Sequence, residues 1–360
     1  MLSITIKSKS LEFYAEIKDR VCVLVGDSGI GKTTMYNILR RRKQPPDTEV
    51  SIVIDGQEID SNSIFMMNDA AGFINLHRSA NTHLKYMKLL FLVDDDTSEQ
   101  SEEARYLLST TVNAHFIFIT REEKIYNVNY DIRSIYTLEL SENGTKHITK
   151  RLLDEFGHRS YPDELRFKDT LIVSEDSKAG FQFYSKLCKL EVVPISDSRG
   201  NISGKDSLVR MLERFDLRNK TVVLFMDWCS FGTNFNKLLN LKRRCGENTD
   251  FIFNENILSF EHLLLTTNLL KSRLNDKPLD SITVDRTMSY EKQFQHILEA
   301  VTKETEFYMT HHSNLPICYY APCCSKLKNG DYCRYALNGE KLAVLFKGTV
   351  FEDILKFRRM

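Results

Sequence analysis

The sequence predicts an α/β protein made of two sheet-forming units in tandem. Three observations support this. Short apolar runs alternate with segments of helical periodicity, as in parallel strands joined by crossover helices. The first strong run opens directly onto the glycine-rich stretch Gly26-Asp27-Ser28-Gly29-Ile30-Gly31-Lys32-Thr33-Thr34. The alternation then lapses in a polar stretch around Glu155 to Asp163 and restarts at Asp169. The expected boundaries are 1–150 for the first unit and 160–300 for the second. Residues 301–360 are expected as a cysteine-containing extension packed on the second unit.

Composition narrows the class. A chain of 360 residues with 42% hydrophobic and 27% charged residues has ample core for two domains. Its formal net charge is zero, so no global field draws it to nucleic acid or an anionic membrane. The local basic clusters Arg40-Arg41-Arg42-Lys43, Lys242-Arg243-Arg244 and Lys356 to Arg359 read as solvated helix ends. No apolar run reaches the length of a membrane span, and the N-terminus alternates where a signal peptide would be uniformly apolar. Eight cysteines in this setting read as reduced thiols of a cytoplasmic protein with no membrane partner.

In the first unit, Ser3 to Lys7 and Leu11 to Ile17 alternate around the polar residues Ser8 to Ser10, predicting a β-hairpin. Val21 to Val25 is continuously apolar, as a strand covered on both faces is. The stretch Gly26 to Thr34 then fits G-x-x-x-x-G-K-[ST]. Its glycines let successive N–H groups turn inward to cradle phosphate oxygens, and the following helix adds its positive end. Lys32 can reach the β- and γ-phosphates, and the Thr33 hydroxyl can ligate Mg²⁺. Lys32 to Arg42 has helical spacing, with Met35, Ile38 and Leu39 on one face, and Pro45-Pro46 ends it. Val50 to Ile54 and Ile64 to Met67 are short strands. Leu89 to Val93 is a buried strand that sets Asp94 at its C-terminal edge, placed to hold the Mg²⁺ shell. A helix over 101–111 and a buried strand from Ala114 to Ile119, ending in Thr120 and Arg121, follow.

These motifs resemble P-loop NTPases over about 120 residues. The hairpin ahead of the loop is most similar to the ATPase branch that includes ABC-type and OLD-like domains. The resemblance implies ATP, Mg²⁺ and hydrolysis. Many hydrolysing members carry Glu after the strand-end Asp, to polarise the attacking water. Here that residue is Asp95, one methylene shorter. The strand ending at Thr120 often carries a polar sensor in such ATPases, making Thr120 and then Arg121 candidates. The alternative is an N-cap threonine and a surface arginine. No LSGGQ-type signature, helical lid or NKxD-type motif is present, which speaks against ABC-style sandwich dimerisation and favours ATP over GTP.

In the second unit, Asp169 to Asp176 is a strand ending in carboxylates. A helix with Phe181, Tyr184 and Leu187 on one face, a strand from Glu191 to Ile195, a short helix from Asp206 to Phe215 and a strand from Thr221 to Asp227 follow. Parallel strands bring such strand-end carboxylates to one sheet edge, where Glu175 and Asp227 would suit Mg²⁺. This arrangement resembles the Toprim fold of topoisomerases, primases and OLD-family nucleases over about 70 residues. That family places Glu after its first strand and DxD after its third. Glu175 and Asp227 match, and Gly200-Asn201 sits where the family tends to carry glycine. Position 229 is Cys where the second Asp would stand, so Asp176 or Glu261 would have to complete a metal site.

Tyr290 to Thr305 reads as an amphipathic helix. Beyond it His311, His312, Cys318, Cys323, Cys324 and Cys333 are candidate ligands for a structural Zn²⁺, or else buried thiols and surface histidines. The leading expectation is an ATP-binding and ATP-hydrolysing protein whose nucleotide state controls a Toprim-like, metal-dependent nuclease unit. The resemblance to bacterial anti-phage ATPase–Toprim proteins implies DNA or RNA as substrate. Asp95, Glu175 and Asp227 are the candidate catalytic residues. Thr33, Asp94, Glu175 and Asp227 are the candidate metal ligands, and residues 26–34 would bind nucleotide. The alternatives are a non-catalytic, nucleotide-dependent switch or scaffold binding a protein partner or a second copy, and a P-loop phosphotransferase.

Overall fold

The computed structural model describes residues 2–8, 11–26, 29–41, 48–54, 56–59, 63–66, 88–94, 107–108, 113–120, 130, 132–142, 146–156, 169–176, 178–188, 190–195, 206–232, 234–253, 257–265, 290–304, 308–310 and 316. The chain divides into two compact units, with the main break between Glu155 and Phe156.

In the first unit, β1 (Leu2–Ser8) and β2 (Glu12–Ile17) form the expected antiparallel hairpin, with Leu2 opposite Ile17. Alternation sets its faces: Phe13, Ala15 and Ile17 are buried while Glu16 is exposed. β3 (Val21–Leu24) is buried along its whole length and leads into α1 (Lys32–Arg41). β4 (Thr48–Ile54) lies antiparallel to β1, and β5 (Gln57–Glu58) pairs with β4. β6 (Ile64–Met66), β7 (Leu89–Asp94) and β8 (Ala114–Ile119) form a parallel set with β3. Of the helix expected over 101–111, residues 107–108 are helical and the rest lies outside the described residues.

Two further strands lie between β2 and β3 in the sheet. β9 (Ile135–Leu140) pairs parallel to β3, and β10 (Lys146–Arg151) pairs antiparallel to β9 and parallel to β2. β10 reads KHITKR, with one apolar residue that is itself exposed, so neither alternation nor an apolar run marks it. The pair joins the antiparallel lobe to the parallel one. Among the described residues one sheet of ten strands results, in the order β5-β4-β1-β2-β10-β9-β3-β8-β7-β6. Met35, Tyr36 and Leu39 of α1 pack into the core with β-strand residues including Ile4, Phe13, Leu24, Leu92 and Ile119. This is a mixed α/β fold with a large, mostly parallel sheet, as expected for a P-loop NTPase. α2 (Leu152–Glu155) closes the unit, burying Leu152 and Leu153.

In the second unit, β11 (Thr170–Ser174), β12 (Val192–Pro194), β13 (Thr221–Phe225) and β14 (Asp250–Ile252) are all parallel, in the order β12-β11-β13-β14. The helices are α3 (Ala179–Leu187), α4 (Asp206–Leu212), α5 (Trp228–Phe231), α6 (Asn234–Cys245), α7 (Phe260–Leu265) and α8 (Tyr290–Thr302). α3 buries Phe183 and Tyr184 and leaves Phe181 half-exposed. This shifts the expected face, because Phe183 packs on Phe260 while Tyr184 stacks on Phe225 at 3.8 Å. α6 buries Phe235, Leu238, Leu239 and Leu241, and Gly246 with φ 89° follows its last turn, where a left-handed residue terminates helices.

Phe156 is 2% exposed and packs against Phe235, Phe251 and Phe253. Lys242 donates to the Phe156 carbonyl and lies over its ring, so this member of the basic cluster is a packing residue, whereas Arg243 and Arg244 are exposed as expected.

Candidate functional site

The glycine-rich loop leaves the C-terminal edge of β3, between two parallel neighbours. The Val25 N–H donates to the Tyr136 carbonyl of β9 at 2.8 Å, fixing the strand end from which the loop departs. Gly26, Gly29 and Gly31 have φ of 135°, 95° and 97°, backbone angles that side-chain-bearing residues rarely adopt. Asp27 and Ser28 lie outside the described residues. The Gly31 carbonyl accepts from the Met35 N–H at 2.9 Å, which begins α1. Lys32 is 5% exposed, and its ammonium donates to the Gly26 carbonyl, bridging the two ends of the loop. Thr33 and Thr34 are exposed at the helix start. Left-handed glycine backbone, a buried ammonium and an exposed hydroxyl at the start of α1 thus lie together at the end of β3, an environment suited to a polyphosphate.

The loop is backed closely. A Cβ on Gly26 would lie 2.3 Å from Ile30 Cδ1 and 3.1 Å from Thr137 Oγ1 of β9. A Cβ on Gly31 would meet the His147 ring of β10 at 3.1 Å and Phe13 of β2 at 3.3 Å. Nothing in the sequence marks Thr137 and His147, because a threonine and a histidine in half-polar strands carry no signal of their own.

The strand register gathers three expected positions. Asp94 lies opposite Ile119, and Ile119 opposite Leu24, so the ends of β7, β8 and β3 share one edge with β8 in the middle. Thr120 follows β8 and is 3% exposed, with its N–H donating to the Leu24 carbonyl at 3.2 Å. The sensor candidate therefore sits between the loop strand and the strand of Asp94. Asp95 and Arg121 lie outside the described residues.

In the second unit, β11 leads to β12 on one side and β13 leads to β14 on the other. The order in which strands are added reverses between β11 and β13, the switch point at which ligands of open α/β sheets bind. Glu175 follows β11 and Asp227 follows β13 at this crevice, and both are half-buried. Glu175 Oε2 accepts from the Asp227 N–H at 3.0 Å, so the two residues are adjacent. Asp227 Oδ1 in turn accepts from the Phe260 N–H at 3.0 Å at the start of α7, while Ser259 caps that helix by accepting from the His262 N–H at 3.1 Å. Asp176 accepts from the Lys178 and Gly180 N–H groups at 2.7 and 2.5 Å, which ties it to the start of α3. Cys229 is buried within α5 beside Trp228 and Phe231. Burial, and then the negative charges of Asp227, Asp176 and Glu261, push the Tyr184 phenol well above its ordinary range. Among the described residues no group of three or more His, Cys, Asp or Glu is placed to hold a metal ion. His311, His312, Cys318, Cys323, Cys324 and Cys333 lie outside the described residues, as does Gly200-Asn201.

Among the described residues no helix is long and apolar enough to cross a membrane. No curated protein matches the chain. Residues 9–152 match the family model described as ABC transporter, a match that spans the loop, Asp94 and Thr120 and supports ATP binding and hydrolysis by this part of the chain.

Proposed function

We propose that the first unit binds MgATP in the β3–α1 loop and hydrolyses it, and that its nucleotide state controls the second unit. The observation that carries this reading is the buried Lys32 ammonium held inside a loop of left-handed glycines, at the edge that also carries Asp94. Residues 26–34 hold the phosphates. The Thr33 hydroxyl and the Asp94 carboxylate supply hard oxygen donors suited to Mg²⁺, a cation that would neutralise charge on the transferring phosphoryl group. Asp95 orients water, and Thr120 senses the γ-phosphate from the strand between.

The second unit, in this reading, is a Toprim-like module of a cytoplasmic protein acting in anti-phage defence. Its Glu175 and Asp227 hold a divalent metal and cleave DNA or RNA. Their adjacency at the crevice between β11 and β13 supports the assignment. A specific observation favours a second reading, the non-catalytic switch or scaffold that binds a protein partner or a second copy. Cys229 is buried where a further carboxylate would be needed, and Asp227 already accepts from the Phe260 N–H at the start of α7.

Phosphate release from ATP, followed by Mg²⁺- and Mn²⁺-dependent cleavage of DNA and RNA, separates these readings. Wild type turns over ATP and Lys32→Ala does not. Cleavage by wild type that is lost in Glu175→Ala establishes the nuclease, whereas ATP turnover with no cleavage by wild type establishes the switch. Wild type that leaves ATP intact contradicts the hydrolytic role.

A further inference from the structure

We infer that His147, stacked on Phe13, is a positioning residue that fixes Gly31 of the phosphate loop and thereby sets affinity for a nucleoside triphosphate. The inference rests on the reading of that loop as the nucleotide site. His147 and Phe13 lie directly opposite each other on the parallel strands β10 and β2. Their rings stack with centroids 4.7 Å apart and an interplanar angle of 12°. Phe13 is 1% exposed and belongs to the core, so it holds one face of the imidazole rigidly. The neighbouring pair Lys146 and Glu12 forms an ion pair at 3.2 Å that pins the same register.

The edge of this imidazole meets the loop. A Cβ on Gly31 would come within 3.1 Å of His147 Cε1 and 3.3 Å of Nδ1, so the backbone at Gly31 packs directly on the ring. Gly31 begins α1 through its carbonyl, and it precedes Lys32. A displaced Gly31 therefore misaims both the helix N–H groups and the ammonium that would meet the phosphates. At the other end of the loop, β9 packs on Gly26 through Thr137, and its Tyr136 carbonyl holds the preceding Val25 N–H. The β9–β10 hairpin is thus the back wall of the loop, and His147 is its half-exposed member at the helix end. A wall of this kind lowers the ordering cost of binding without touching the reacting atoms. The flat ring, and not the ring nitrogens, is the required feature.

Calorimetric titration of MgATP into the full chain, with turnover at saturating ATP, tests this on wild type, Lys32→Ala, His147→Ala, His147→Leu and His147→Phe. His147→Ala is expected to weaken ATP binding by roughly tenfold, with any fall in saturated turnover accompanying that loss of affinity. His147→Phe, which restores a flat ring on Phe13, is expected to bind within about twofold of wild type. If His147→Ala does not fold, His147→Leu takes its place, filling volume without a flat ring. The inference is overturned if His147→Ala or His147→Leu binds as wild type does. It is equally overturned if His147→Phe binds as weakly as they do, or if saturated turnover falls while affinity holds. Wild type that fails to bind ATP, or Lys32→Ala that binds it equally, overturns the reading of the loop itself.

Discussion

Gly31 joins conformation to recognition. Its φ of 97° excludes most side chains, and His147 and Phe13 occupy the space that a methyl would need. Gly31→Ala is expected to cost about 1–3 kcal/mol of stability in the first unit and to abolish nucleotide binding. Chemical denaturation and calorimetric titration read the two effects separately. The loop glycines and Lys32 were legible in the sequence because their spacing is dictated by backbone chemistry. His147 was not, since its role comes from a cross-strand partner far away in sequence. Tyr184 is similar: burial and the nearby Asp227 resist its ionisation. Unfolded phenols ionise near pH 10, below the folded value, so release of the proton favours unfolding. The contribution of the buried phenol is complete below about pH 10 and is lost as pH climbs toward the folded value. Wild type is expected to lose stability more steeply than Tyr184→Phe above about pH 10 in pH-dependent denaturation.

Strands announced themselves in proportion to their burial. β3, β7, β8, β11 and β13 are built around short apolar runs, which makes them legible in the sequence. β10 was missed because its half-polar face leaves no periodic trace, although it supports the phosphate loop. β4 was read as a strand, but its antiparallel pairing with β1 depends on a register that only the folded sheet supplies. In the second unit, short helices lean on strand-end acids. α7 begins on Asp227 and α3 on Asp176. These acids were legible as carboxylates at a sheet edge; their hydrogen bonds to helix N-termini were not. Asp227→Ala is expected to cost about 1 kcal/mol through loss of its hydrogen bond to the Phe260 N–H, and Asp227→Asn to retain most of it, as read by thermal melting. A much larger effect of Asp227→Asn on metal-dependent cleavage than on stability would point to chemistry beyond this hydrogen bond.

Two compact units share one chain, and each has its own sheet and core. The polar stretch from Glu155 to Asp163 reads as a linker in the sequence, yet it contains the core residue Phe156, because a single aromatic inside a polar stretch does not register as core. Phe156 belongs to the aromatic cluster of the second unit, together with Trp228, Phe235 and Phe253. Phe156→Ala is expected to destabilise that unit by about 3–5 kcal/mol and to leave ATP affinity of the first unit unchanged. Calorimetric unfolding with and without MgATP checks this, since ligand raises only the transition of the unit that binds it. The most direct test is equilibrium binding of ATP, with magnesium present, to wild type and Lys32→Ala. Saturable binding by wild type that weakens at least about a hundredfold in Lys32→Ala is predicted. Indifference of wild type to ATP, or equal binding by the two proteins, would contradict the assignment of the β3–α1 loop as a nucleotide site.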